Sequence, residues 1–63
     1  MIEILRDING KVIEVGDIYH QGDKNIRYVV ECRGNELIGK QMGSSSYAGV
    51  KHWIDRIVVI GKI

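Results

Sequence analysis

The sequence predicts an all-β fold: a small, closed or nearly closed barrel of five strands, with a short helical turn before the last one. Three observations carry this. β-prone runs of five to eight residues recur at 1–5, 11–15, 26–32, 36–42 and 56–63. Each run is stopped by a glycine-centred turn: Asn9-Gly10, Gly16-Asp17, Gln21-Gly22-Asp23, Gly34-Asn35, and Gly43 with its serines. The pattern of runs and stops is that of a small closed or nearly closed β-sheet.

Ile2-Glu3-Ile4 alternates apolar and polar residues as a half-buried strand does. Asp7-Ile8-Asn9-Gly10 follows, and Asn-Gly between apolar runs predicts a two-residue type I′ hairpin turn returning into residues 11–15. Gly16-Asp17-Ile18-Tyr19 resumes the strand after a turn or bulge, and residues 21–25 form a polar loop tip. Residues 26–32 are the clearest strand, with Ile26, Tyr28, Val30 and Cys32 on one face and Arg27, Val29 and Glu31 on the other. After the tight turn at Gly34-Asn35, residues 36–42 pair back; Gly39 inside that run predicts a bulge or a close backbone approach. Tyr47, Val50, Ile54 and Ile57 fit helical spacing, so one or two helical turns, capped by Ser46, are expected to plug the barrel end. The last run is nearly continuous in β-branched residues, as a central or closing strand would be.

Sixty-three residues make a single domain spanning 1–63. The lone cysteine, Cys32, can form no internal disulfide and points to a reducing, cytoplasmic setting. No run approaches a membrane span, and Glu3 and Arg6 without an apolar h-region predict no signal peptide. The net charge is +1, nine basic against eight acidic residues with the signs interspersed. Composition therefore gives no support for the basic patch of a strong nucleic-acid binder.

Five strands with one helical turn before the last is the order of an SH3-like barrel, and Val15-Gly16-Asp17-Ile18-Tyr19 resembles a strand entry common in that class. The last strand, Val58-Val59-Ile60-Gly61-Lys62-Ile63, resembles the "EVIGNI" ending of YopX-type phage and prophage proteins, and Val15-Gly16-Asp17-Ile18 resembles their "GDI" strand start. Val58 replaces the family's glutamate and Lys62 its asparagine. The resemblance implies a phage or mobile-element origin and an all-β fold, with no assigned chemistry.

No metal or cofactor is expected. His20, Cys32 and His52 lie twelve and twenty residues apart, without the paired short spacings of a zinc site. A mid-strand Cys32 is expected in the core, where burial would keep it inert. No nucleophile–base pattern is visible, so the chain reads as a non-enzyme. Gly43-Ser44-Ser45-Ser46-Tyr47 offers backbone N–H groups and hydroxyls that could cradle a phosphate with Lys51 nearby; a serine-capped polar loop explains the same residues. With no phenylalanine present, Trp53 and Tyr28 are expected to fill the core, and Tyr19 and Tyr47 to act as surface anchors. The candidate binding set is Tyr19, Arg27, Arg33, Ser44, Ser45, Ser46, Tyr47 and Lys51.

The function expected is stoichiometric binding: a phage- or prophage-type module docking on a host or defence protein. A nucleic-acid barrel using Lys24, Arg27, Arg33 and the tyrosines is the second reading. A nucleotide sponge using the serine loop is the third. A homodimer through a shared strand edge is compatible with each.

Overall fold

The architecture is that of a computed structural model, which describes residues 4–63. Five strands form one antiparallel sheet: β1 (Asp17–Gln21), β2 (Tyr28–Arg33), β3 (Glu36–Gln41), β4 (Tyr47–Gly49) and β5 (Ile57–Lys62). A 3-10 turn, Lys51–Trp53, links β4 to β5. The spatial order is β4-β3-β2-β1-β5, so β4 and β5 are the two edges.

The sheet is open, which corrects the SH3-like barrel. Closure would require the β4 and β5 edges to meet. β4 is only three residues long before Val50 turns into the 3-10 segment. The outer side of β5 is already occupied: Ile8 N–H donates to Ile57 O at 3.0 Å, and Val59 N–H donates to the Asp7 carboxylate at 3.1 Å.

The expected N-terminal hairpin contracts to one bridge, Arg6 with Val12, beside a bond from Ile13 N–H to Leu5 O at 2.8 Å. Residues 1–3 of the expected first strand lie outside the described residues. The turn is not type I′, because only Gly10 has a positive φ. Gly10 N–H returns to Asp7 O at 3.0 Å, and Asp7 N–H donates to Lys11 O at 2.9 Å, a three-residue loop. The Asp7 carboxylate selects it by accepting from Asn9 N–H at 2.9 Å and Lys11 N–H at 2.8 Å.

At the next turn Asp17, fully buried, accepts from Glu14 N–H at 2.8 Å and faces the Lys11 ammonium at 3.6 Å. Gly16 then knits two strands, donating to Val30 O and accepting from Ile63 N–H, both at 2.9 Å. β2 and β3 pair along their whole length around Gly34-Asn35. Gly34 has φ +61° and Asn35 does not turn left-handed, the type II′ geometry that matches strand twist.

The core comprises Ile13, Tyr19, Val30, Leu37, Val50 and Ile57, with Leu5, Tyr28, Trp53, Ile54 and Val59 packed against it. Trp53 and Tyr28 thus flank the core rather than fill it. Tyr19 fills it instead, stacked on its cross-strand neighbour Tyr28 with centroids 5.3 Å apart. Its ring lies over Gly39, where a Cβ would overlap the hydroxyl and come within 2.5 Å of Cζ. Gly39 is therefore the close backbone approach anticipated in the sequence. Cys32 is exposed, not core: it shares a face with its cross-strand partner Leu37, but the packed layer covers Leu37 and leaves Cys32 in solvent with Glu31 and Arg33.

The expected helix over 47–55 resolves into β4 followed by the 3-10 turn. Ser46 caps no helix; the 3-10 turn follows Val50 and has no side-chain cap bond. Among the described residues no helix is long and apolar enough to cross a membrane.

Two stability outcomes follow from this packing. Gly39→Ala is expected to cost about 3 kcal/mol in urea unfolding, because Tyr19 has no room to retreat. Asp7→Ala strips an acceptor from the Asn9, Lys11 and Val59 N–H groups and is expected to cost about 2–3 kcal/mol. Burial pushes the Asp7 carboxyl up, but those three donors and the Lys11 charge outweigh it and hold it below the usual 3.8. Its contribution is therefore present above pH 3.8 and lost as acid titration passes through the lower folded value, a slope that Asp7→Ala should remove.

Candidate binding groove on the outer sheet face

Alternation places Glu31 and Arg33 of β2 on the sheet face away from the core. Register then sets Glu31 beside Ile38, and Lys40 beside Tyr47 of β4. These side chains, with Cys32 and Ser45, line an open groove of about 370 Å³. The Arg33 guanidinium lies 4.8 Å from the centroid of the Tyr47 ring, which is 57% exposed. The pair presents a flat aromatic surface backed by a cation. Neither Arg33 nor Lys40 forms an ion pair among the described residues.

The groove gathers three members of the sequence-derived set: Arg33, Ser45 and Tyr47. Arg27 sits at the opposite end of β2, about 20 Å away at strand spacing. Lys51 lies on the 3-10 turn, beside a separate cavity of about 450 Å³ lined also by Leu5, Asn35, Glu36, Leu37, Gly49 and His52. That cavity is larger but holds neither tyrosine nor tryptophan. Tyr19 is no surface anchor: it is fully buried, and no ligand reaches it without unfolding.

The serine loop folds on itself. Ser46 N–H donates to Ser44 Oγ at 3.2 Å, Ser44 Oγ to Ser46 Oγ at 3.3 Å, and Ser44 N–H to Gln41 O at 3.3 Å. Three donors wanted for a phosphate cradle, the Ser44 N–H, Ser44 hydroxyl and Ser46 N–H, are thus engaged, and the chain continues into a strand rather than a helix N-terminus. Sequence reasoning left Glu31, Ile38 and Lys40 out of the candidate set. The i, i+2 relation of Glu31 to Arg33 was the available signal; the rest depends on register.

Other reactive groups are dispersed. The Cys32 thiol donates to Gly34 O at 3.3 Å. His52 meets the Trp53 ring edge-on at 5.1 Å, and Arg56 covers that ring at 5.3 Å. Among the described residues no three His, Cys, Asp or Glu side chains gather to hold a metal.

Compared with known proteins, the chain matches no family model, no curated protein and no solved structure. The YopX-type resemblance therefore fails, and with it the phage or prophage origin it implied. The matching residues describe a β-branched edge strand ending near a Gly-Asp turn, a pattern that packing alone produces.

Tyr19 supplies a pH signature for this part of the molecule. Burial, with Tyr28 beside it, pushes its phenol up to about 12 from 10.0. Stability is thus complete below pH 10 and falls as the pH rises toward 12, because the unfolded phenol ionises first. Its hydroxyl has no hydrogen-bond partner among the described residues. Tyr19→Phe is expected to flatten this alkaline slope and, at pH 7, to leave stability unchanged or raise it by up to about 1 kcal/mol in urea titrations.

Proposed function

We propose that the protein is a non-catalytic module that binds stoichiometrically to a segment of another polypeptide through the Arg33–Tyr47 groove. The observation that carries this is the guanidinium stacked on an exposed ring beside the β4 edge, unpaired among the described residues. Tyrosine and arginine dominate the energetic centres of protein interfaces, where a pre-stacked pair loses little side-chain entropy on docking. Half-buried Ile38 supplies an apolar floor, and Glu31 and Lys40 a rim of both signs. An extended partner segment along β4 would gain main-chain hydrogen bonds while presenting alternate side chains to the groove.

Among the described residues the Cys32 thiol bonds to a backbone carbonyl, Gly34 O, rather than to a base, which supports a binding role over a catalytic one. An exposed free thiol also fits a reducing, cytoplasmic setting. Nucleic acid is the second reading, favoured by Arg33 and Lys40 flanking a stacking ring. Glu31 in the same groove and Arg27 at the far end of β2 weigh against it.

Selection of a random peptide library on the immobilised protein tests the proposal. Enriched peptides are expected to bind the native chain and to lose tenfold or more in affinity on Tyr47→Ala, about 1.4 kcal/mol. No enrichment, or peptides indifferent to Tyr47, would overturn it. Tight binding of single-stranded RNA or DNA with steep salt dependence would move the assignment to the second reading.

A further inference from the structure

β4 is short, but its outer edge is self-complementary. Gln41 N–H bonds to Ser46 O at 2.9 Å and Val50 N–H to Leu37 O at 3.1 Å, which turns residues 46 and 50 toward β3. Alternation in an antiparallel ladder then points the N–H and C=O groups of Tyr47 and Gly49 outward. Among the described residues these outward groups have no hydrogen-bond partner. They are the groups an added strand needs.

The side chains at the same two positions are opposites. Tyr47 carries an exposed ring, while Gly49, on the same face beside Ile38, carries nothing. The backbone does not demand a glycine here. Gly49 has no positive φ, and a Cβ would meet only the His52 Cβ, at an ordinary 4.0 Å. A bare position thus sits two residues from an exposed ring, without a reason internal to the described chain.

We propose that this edge pairs with a second copy of the chain, about a two-fold axis that passes beside Ala48 and normal to the sheet. Antiparallel pairing in this register sets Tyr47 opposite the partner's Gly49, and Gly49 opposite the partner's Tyr47. Each pair exchanges two main-chain hydrogen bonds, and each ring turns outward from the Arg33 guanidinium it meets in the single copy to cover the partner's bare glycine, as an aromatic does for an edge glycine in a designed sheet. A two-fold interface requires this reciprocity. Charge does not oppose it: Lys40 and the partner's Lys40 lie three strand spacings apart, about 14 Å, beyond the screening length at physiological salt. A three-residue strand covers far less than the roughly 800 Å² per partner of a stable complex, so the pair forms only at dissociation constants of about 10 μM or weaker. The inference rests on the polypeptide-docking reading of this edge and names one occupant for it.

Sedimentation equilibrium of the full chain from about 10 μM to 1 mM tests it. The native chain is expected to rise from one copy to two across that range. Gly49→Val, which fills the space for the partner's ring, should weaken pairing tenfold or more, while thermal unfolding at low concentration shows the fold kept. Gly49→Ala, which adds only the Cβ already shown to fit, serves the same purpose should valine disturb the monomer. A constant single-copy mass, growth beyond two copies, or pairing that ignores both Gly49 substitutions would overturn the proposal. A single-copy native chain that still loses peptide binding on Tyr47→Ala would overturn self-pairing and leave the docking reading standing. Gly49-sensitive pairing without any peptide selection would uphold self-pairing and overturn docking of foreign segments.

Discussion

The carboxylate of Asp7 is the constraint on which the rest of the sheet depends. It accepts from two N–H groups of its own loop and from Val59, fifty-two residues away. The local pair shapes the loop, and the distant bond fastens that loop to β5. Together with the bond from Ile8 to Ile57, it occupies the first half of the β5 side that faces away from β1, at Ile57 and Val59. A side chain and one residue of backbone thus do there what a further strand would do elsewhere. An aspartate is suited to this because its short side chain offers two oxygens within reach of main-chain donors.

The second determinant is the fit of Tyr19 over Gly39. A small domain without phenylalanine needs bulk at its centre, and the missing Cβ on β3 makes room for one large ring. That ring stacks on Tyr28 and closes the middle of the sheet. The hydroxyl is carried into the interior with no partner among the described residues, a local penalty tolerated for the sake of the ring's area. Asp7 fixes the edge, and Tyr19 the centre. Between them they leave the end of the β2–β3 hairpin held by Leu37 alone, with its charged residues in solvent.

The turns were legible in the sequence because glycine chemistry is local. Gly10, Gly16, Gly22, Gly34 and Gly43, one at each anticipated stop, all have positive φ. The runs that became β2, β3 and β5 were legible for the same reason, since alternation and β-branching act within a strand. Barrel closure was not, because it turned on a hydrogen bond between residues 7 and 59. Tyr19 was misplaced on the surface because its companion on the inward face is Asp17, so the core face of β1 reads as polar. The helical spacing of Tyr47, Val50, Ile54 and Ile57 arose from a strand, a 3-10 turn and a second strand laid end to end. Of the groove, Arg33, Ser45 and Tyr47 were visible as residue types. Their convergence with Glu31, Ile38 and Lys40 required the register of three strands.

The unequal treatment of the two sheet edges has a consequence for colloidal behaviour. Open β-edges are the templates on which chains polymerise, and a sheet open on both sides can add copies without end. Here one side is blocked at Ile57 and Val59 by Ile8 and Asp7, leaving three exposed residues, Ile60 to Lys62, and the other side offers only the three residues of β4. Growth by edge addition is confined to two short stretches, one on each side. A sixty-three-residue chain rich in valine and isoleucine is thereby steered away from fibre growth by the placement of one buried carboxylate.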